Sequence, residues 1–143
     1  MRIKIQQGYI AVYGNSFPIR IGKFLIGGKQ PKAATLFPFI FFYNENCEQP
    51  WLVNHERIHF AQILEFLFVG VFLLWLIEYL YARIFLKMSA YDTYHYCALE
   101  QEAYLNHNNP NYLKNRKLFS IFKYLKNKKR FTVDKDGVVT IIN

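Results

Sequence analysis

The chain has 143 residues, with a hydrophobic fraction of 52% and an aromatic fraction of 19%, which is enough material for one modest core and a single domain. Its net charge of +8 is local, because eight basic residues and no acidic ones lie between Lys114 and Arg130, and the rest of the chain carries ten of each sign. Two cysteines, Cys47 and Cys97, are too few for a disulfide-dependent scaffold, and the N-terminus lacks the apolar run of a signal peptide.

The first 46 residues are predicted to be β-rich and to form a small antiparallel sheet. Residues 9–13 and 18–26 are rich in β-branched and aromatic residues and are separated by turn residues, a pattern typical of a hairpin. A third run, residues 35–43, contains Pro38, which cannot donate a ladder hydrogen bond. The third run is therefore expected to be an edge strand.

Pro50 is favoured at a first helical position and predicts a helix that runs unbroken over about residues 51–87, with Gly70 as its weak point. Apolar side chains lie on all sides of the segment at about residues 63–86, and so short a chain has little material to cover them. A buried core helix is the alternative, because the uncharged stretch at 66–77 falls short of the roughly 18 residues that span a bilayer. We favour a membrane segment, as a tilted span or an in-plane helix, and expect the protein at the bacterial inner membrane.

The remainder is predicted to contain two more helices and a hairpin. The metal-site region, residues 50–108, ends with a helix over 90–108, and a hairpin over 130–143 has Asp136-Gly137 as its turn. A basic amphipathic helix over 111–130 lies between them, with an apolar face made of Leu118, Ile121, Phe122 and Leu125. Its cationic face is either solvated or bound to anionic membrane lipid, and nucleic acid is a weaker alternative because no recognised nucleic-acid-binding motif accompanies the charge.

Residues 55–59 read His-Glu-Arg-Ile-His, the HExxH motif. Two histidines four positions apart lie on one side of a helix, so the imidazoles of His55 and His59 can reach the same metal ion. Glu56 projects about 100° away from His55. There a carboxylate lies beside the open position of the metal and can take a proton from zinc-bound water. The motif predicts a zinc site with Glu56 as general base.

The next predicted helix offers two candidates for a third zinc ligand, Glu100 and Glu102. They point roughly 200° apart around the helix, so one of them at most can face the metal. Glu100 is favoured because it shares its face with Ala103, a small residue that permits close approach of the helices. Tyr104 and His107 lie on that face too, and they are candidates for stabilising the oxyanion or orienting a ligand. Purely structural roles for these two are equally open.

The HExxH motif and the downstream sequence E-Q-E-A-Y, which begins at Glu100, resemble the gluzincin zinc metallopeptidases. In particular they resemble the membrane-embedded branch with the CAAX prenyl proteases and the BlaR-type sensor peptidases. The downstream pattern of that branch is E-x-x-A-D, and the resemblance implies that its first glutamate, here Glu100, is the third zinc ligand. Tyr104 replaces the aspartate that orients a zinc histidine in the family. The resemblance covers about residues 50–110, and it gives residues 37–43 a second interpretation, as the strand along which an extended substrate pairs.

These features predict an α+β, membrane-associated zinc endopeptidase, in which a long HExxH helix packs with a second, glutamate-bearing helix. His55, His59 and Glu100 would hold Zn²⁺, and Glu56 would activate water against a peptide or protein substrate. His95, which lies among aromatic residues, is a weaker candidate for contact with metal or substrate. Two alternatives stay open: a catalytically inactive membrane-bound binding or regulatory protein with a structural or vestigial metal site, and a zinc hydrolase that acts on something other than peptides. The oligomeric state is open as well.

Overall fold

A computed structural model describes residues 1–143 and shows a mixed fold of seven α-helices and six strands, which confirms the α+β class. The strands are β1 Arg2–Gln6, β2 Tyr9–Tyr13, β3 Ala33–Leu36, β4 Phe39–Phe42, β5 Arg130–Val133 and β6 Val139–Ile142. The helices are α1 Phe17–Leu25, α2 Pro50–Glu65, α3 Val69–Ile84, α4 Ala90–Tyr96, α5 Ala98–Asn106, α6 Tyr112–Asn115 and α7 Ile121–Lys126.

The amino-terminal sheet has the strand order β1-β2-β4-β3 and is mixed. β1 pairs antiparallel with β2, and β3 pairs antiparallel with β4, whereas β2 and β4 run parallel with Ile10 opposite Phe39. Parallel neighbours need a crossover connection, and α1 together with β3 provides it. The predicted antiparallel pairing is therefore present at the two outer pairs and absent at the centre.

Residues 18–26 form most of helix α1 instead of the second strand of a hairpin, so that prediction is wrong. Pro18 lies in the first turn of the helix, where its fixed φ and missing amide hydrogen are tolerated. Ile19 and Ile26, seven positions apart, are buried, whereas Ile21 is exposed. The burial thus follows the two-turn period of a helix, although Ile19 and Ile21 imitate the alternation of a strand.

Pro38 lies in the turn between two strands, so the prediction that residues 35–43 form one edge strand is also wrong. β4 is a central strand, and its Ile40 and Phe42 are fully buried. β3 is the edge strand of the sheet. Proline limits the ladder as expected, but it does so by separating β3 from β4.

The HExxH helix is shorter than predicted, because α2 and α3 meet at a bend of 109°. The bend lies at Leu67 and Phe68, which have φ values of +50° and +65° that L residues rarely adopt. Gly70, the predicted weak point, lies inside α3. The Phe68 ring packs edge-on against Phe37 with centroids 6.2 Å apart, a tertiary contact that the local pattern does not reveal.

The predicted helix over residues 90–108 is divided into α4 and α5 at Cys97, whose backbone is extended with ψ 139°. Cys97 and Cys47 are both free thiols. The carboxy-terminal hairpin is confirmed, since β5 pairs antiparallel with β6. Gly137 has a φ of +80° in the connecting turn.

The prediction of one continuous amphipathic helix over residues 111–130 is wrong, because α6 and α7 together cover ten residues of that segment. Arg116 interrupts it. Its backbone is extended, and its buried guanidinium pairs with the carboxylates of Glu65 and Glu102. Ile121, part of the predicted apolar face, is fully buried.

Two apolar clusters fix α2 in place beside α5. The first packs the sheet against α2 and includes Ile40, Phe42, Leu52 and Phe60. The second joins α2, α3, α5 and α7 and consists of Ile63, Val71, Ala98, Leu99 and Ile121. Packing on both sides of α2 holds the HExxH turn against the glutamate-bearing helix.

α3 lies largely at the surface. It buries Val71, Glu78 and Ala82, and most of its other apolar side chains are exposed. None of the helices alone has both the length and the apolar character needed to cross a membrane. α2 and α3 taken together meet both criteria but are bent by 109°.

Candidate metal centre

Three buried side chains from α2 and α5 converge at the HExxH turn. His55 Nε2 lies 3.3 Å from Glu100 Oε2, and His59 Nε2 lies 3.3 Å from Glu100 Oε1. The two Nε2 atoms are 3.2 Å apart. The structure therefore brings together the three residues predicted to hold zinc.

The spacing of these donor atoms is compatible with a tetrahedral zinc ion. Zinc bonds of about 2.0–2.1 Å at tetrahedral angles put neighbouring ligand atoms about 3.3–3.4 Å apart. The two Nε2 atoms are 3.2 Å apart, and each lies 3.3 Å from a different oxygen of Glu100. One atom from each residue can be chosen so that all three lie within 4.8 Å of one another. Glu100 Oε2 is buried and accepts no hydrogen bond, and a buried polar atom of that kind calls for a partner. Two imidazoles and one carboxylate are also a common donor set of catalytic zinc. The cluster can therefore hold a metal ion.

The two candidate glutamates of α5 face different surroundings. Glu100 faces the histidines, whereas Glu102 accepts hydrogen bonds from Gln62, Tyr112 and Arg116. Glu102 is fully buried in this network. Glu100 is therefore the carboxylate available to a metal.

Glu56 lies beside the three ligands and is buried as well. The hydroxyl of Thr35, in edge strand β3, donates a hydrogen bond to Glu56 Oε2. The pKa of Glu56 is raised to about 7, because the effect of burial outweighs the opposite effect of the neighbouring His59. A carboxyl group with a pKa near neutrality is suited both to accept a proton and to return it.

The charges of the cluster are strongly coupled. Burial lowers the pKa of His55 to about 4, so this ring is neutral. Burial also acts to lower the pKa of His59, but the Glu100 carboxylate outweighs it and raises that pKa to about 9. Burial acts to raise the pKa of Glu100, yet the two histidines hold it well below its usual range. A proton on His59 thus balances the charge of the Glu100 carboxylate, and a metal ion bound at this nitrogen would displace the proton.

His107 holds His55 in one tautomer. Its Nε2 lies 2.6 Å from the backbone oxygen of Gly137, which can only accept, so this nitrogen carries the hydrogen. Burial lowers the pKa of His107, which favours the neutral ring with Nδ1 as an acceptor. That Nδ1 lies 3.1 Å from His55 Nδ1 and takes its hydrogen. His55 Nε2 is left without a hydrogen and faces Glu100.

Gln62 holds His59 in a similar way. Its Oε1 lies 2.7 Å from His59 Nδ1. Its amide nitrogen donates to a backbone oxygen of α5 and to Glu102, which fixes the orientation of the amide. Glu102 is held in turn by Arg116. Each ligand histidine therefore has a partner on the side of its ring that faces away from Glu100.

The other predicted site residues lie around the cluster. Tyr104 packs its ring against His55 with centroids 4.4 Å apart. His95 is bonded through Nδ1 to the backbone oxygen of Tyr91 and stacks on Tyr104, so it is not among the ligand atoms. His107 has both ring nitrogens engaged, which favours orienting His55 over contact with a substrate.

Four residues near the cluster had no role in the sequence prediction: Thr35, Gln62, Tyr94 and Gly137. Gln62 lies three positions after His59, a spacing that puts both on one helix face and that is visible in the sequence. Tyr94 lies close to Glu100, and its pKa is raised well above the usual value by burial and by that carboxylate. Thr35 and Gly137 belong to elements distant in the chain from both helices of the cluster, and Tyr94 lies on α4, directly before α5. No local signal connects these three residues with the site.

Comparison with protein-family models, with curated proteins and with solved structures finds no match to this chain. The gluzincin resemblance rests on the HExxH motif and on the short downstream sequence that begins at Glu100. The function is therefore argued from the site itself.

Proposed function

We propose that this protein is a membrane-associated, zinc-dependent endopeptidase. The proposal is carried by the convergence of His55, His59 and Glu100 at separations that suit zinc, with Glu56 beside them. Zinc, when bound, supplies a Lewis acid that polarises a carbonyl group and lowers the pKa of water toward 7. Side chains of the protein carry out the proton transfers and stabilise the oxyanion.

Glu56 is the group that moves the proton. Its carboxylate accepts a proton from the attacking water and returns it to the leaving amine. The hydroxyl of Thr35 holds one carboxylate oxygen in place. Tyr104 lies beside His55, and its hydroxyl keeps its hydrogen because burial raises its pKa well above the usual value. A hydroxyl in that position can donate to the oxyanion that forms on the substrate.

The edge strand β3 supplies a backbone along which a substrate can lie. Its outer edge pairs with no other strand. Ala33 lines the cavities next to Glu56, and Thr35 bonds to Glu56. An extended peptide can add to such an edge through main-chain hydrogen bonds. We assign the substrate strand to β3, because β4 is enclosed between two neighbours.

The exposed face of α3 supports association with a membrane. Four of its apolar residues are more than half exposed: Val69, Leu73, Ile77 and Ile84. Contiguous exposed apolar surface marks an interaction or membrane site. Phe66, at the α2–α3 bend, packs against Phe119 and Phe122 of the basic segment. The basic segment therefore contacts the bend that leads into α3, and a cationic segment beside an apolar helix is the combination that attracts anionic lipid.

Metal content and hydrolysis together test the enzymatic part of the proposal. The purified protein is expected to bind about one zinc ion per chain and to cleave a casein-type or mixed-peptide substrate, with activity lost to a chelator and restored by zinc. His55→Ala should lose both metal and activity. Glu56→Gln should keep the metal and lose hydrolysis by about 100-fold or more, because the proton acceptor is gone.

Glu45→Gln is the matched control, since Glu45 is an exposed carboxylate that pairs with Arg2 and lines neither cavity at Glu56. It should retain both metal and activity. A protein that binds one zinc per chain and cleaves no peptide would exclude the endopeptidase and leave a metal-dependent binding protein.

A further inference from the structure

Two cavities share Glu56 in their walls. The larger has a volume of about 470 Å³, and 13 of its 20 lining residues are hydrophobic. The smaller has a volume of about 320 Å³. Both are lined by Glu56 and Tyr94. His59 and Glu100 line the larger cavity, whereas His55 lines the smaller one. A substrate bond placed at Glu56 would therefore lie next to both cavities.

The larger cavity has the character of an apolar binding site. It lies between α1, α3 and β3, and its mouth is formed by exposed side chains that include Phe17, Ile21 and Phe72. Its volume falls within the range of pockets that bind small organic groups. A bulky apolar group gains free energy by leaving water for such a pocket, whereas a charged group loses it.

The smaller cavity is positively charged. Lys29, Lys32 and Lys135 line it, and none of them forms a salt bridge. Asp134 is the one acidic lining residue besides Glu56, and its carboxylate already accepts hydrogen bonds from the backbone of Asp136 and Val138. Lys32 Nζ donates a hydrogen bond to the backbone oxygen of Lys135, and Lys29 Nζ lies over the Tyr91 ring. These partners carry no negative charge, so the excess positive charge of the cavity favours an anionic group.

We infer that the substrate is a peptide in which a bulky apolar residue and an acidic residue flank the cleaved bond. This inference rests on the proposed function, because only an endopeptidase would cleave the bound peptide. The selectivity of binding depends on the two cavities alone. The apolar side chain occupies the α1–α3 cavity, and the carboxylate lies among the three lysines. The unfavourable combinations are a basic residue on the lysine side and a small polar residue on the apolar side.

Binding to the zinc-loaded Glu56→Gln variant tests this selectivity without requiring catalysis. The probes are fluorescent decapeptides that differ in the central pair: Leu-Glu, Glu-Leu, Leu-Lys and Ser-Glu. At least one of the two Leu/Glu peptides should bind about tenfold or more tightly than both Leu-Lys and Ser-Glu, as expected for one buried apolar side chain and one paired charge. Equal binding of all four peptides would overturn the inference.

Variants of the cavity walls locate the preference. In the same Glu56→Gln background, Lys29→Glu with Lys135→Glu should reverse the preference so that Leu-Lys binds more tightly than Leu-Glu. Ile21→Ser should lower the affinity for the Leu/Glu peptides until it approaches the affinity for the Ser-Glu peptide. The matched controls are Lys117→Glu, an exposed lysine that lines neither cavity, and Phe24→Ser, an exposed residue of α1 outside both. A selectivity that the wall variants leave unchanged would also overturn the inference.

Hydrolysis of the same peptides by the zinc-loaded wild type separates the two proposals. Selective binding without cleavage would remove the endopeptidase and retain the two-sided site. Cleavage of all four peptides at equal rates, together with unselective binding, would retain the endopeptidase and remove the inferred substrate class.

Discussion

The hydrogen bond between His55 and His107 joins two ring nitrogens, each of which can donate or accept. This hydrogen bond suits a metal site only when His55 is the donor. His55 Nε2 then carries no hydrogen, and its lone pair can bind a metal. Gly137 sets that direction by accepting the hydrogen of His107 Nε2. In the family that the sequence resembles, an aspartate orients the zinc histidine, and Tyr104 stands at its position. Here the orienting group lies three residues later, where α5 ends.

Replacing His107 with phenylalanine should weaken zinc binding while preserving the packing volume. The variant leaves His55 free to adopt the wrong tautomer, and loss of such a partner typically lowers metal affinity by about 10- to 100-fold. Competition with a chromophoric chelator measures the change. His95→Phe is the matched control, because His95 is also packed among aromatic rings but bonds to Tyr91 rather than to a ligand. Equal losses in both variants would show that the effect is one of packing.

The sequence predicted which three residues converge in the cluster, but it did not predict the residues that hydrogen-bond to them. HExxH fixes His55 and His59 on one helix face, and that part of the geometry is local. The choice of Glu100 over Glu102 required the direction in which α5 packs. The partners of the ligands could not be predicted, because Gly137 reaches His107 from 30 residues away.

At the scale of the elements, α5 shows why periodicity fails to describe a polar core helix. Its consecutive residues Glu100, Gln101 and Glu102 are all buried. Glu100 faces the histidines, Glu102 joins the Arg116 network, and Gln101 bonds to backbone groups of His95 and Lys129. A helix with polar groups on every buried side has no apolar stripe to detect. Its location depends instead on a separate partner for each side chain.

The hairpin between β5 and β6 is coupled to the metal centre through Gly137. A Cβ atom at this position would lie 2.3 Å from the Trp51 ring, and the φ of +80° disfavours any L residue. Gly137→Ala should therefore destabilise the fold by about 1–2 kcal/mol for the backbone and by a further ~1–3 kcal/mol for the overlap. It should also lower zinc affinity, since the turn that holds His107 must shift. Thermal unfolding and zinc titration measure the two effects.

Gly28→Ala provides the control for that prediction. Gly28 has a similar φ of +87°, but a Cβ there would meet nothing within 4 Å. Its variant should show the backbone cost of about 1–2 kcal/mol alone, with zinc affinity unchanged. Identical behaviour of the two glycine variants would contradict the coupling of the hairpin to the site.

At the scale of the whole molecule, the site lies where the sheet edge, α2, α5 and the carboxy-terminal hairpin meet. The sequence predicted the α+β class and the terminal hairpin, because those depend on composition and on the Asp136-Gly137 turn signal. It mispredicted α1 and the bend after α2, where tertiary packing overrides local preference. The bend is the consequential error, since it turns one long apolar helix into a short metal-bearing helix and a separate surface helix.

That surface helix gives the membrane proposal its sharpest test. Leu73 and Ile77 are 55% and 67% exposed, one turn apart on α3, and burying them in lipid would remove apolar area from water. The wild type should therefore float with lipid vesicles, and more strongly when the vesicles contain anionic lipid. Leu73→Glu with Ile77→Glu should lower the fraction bound by more than about tenfold, since two charges replace two apolar side chains.

The paired control is Ile3→Glu with Ile5→Glu, because these β1 residues are 63% and 86% exposed and lie outside α3. If both pairs reduce flotation equally, or if wild type does not float at all, α3 is not a membrane surface. Its exposed face would then call for a protein partner instead of lipid.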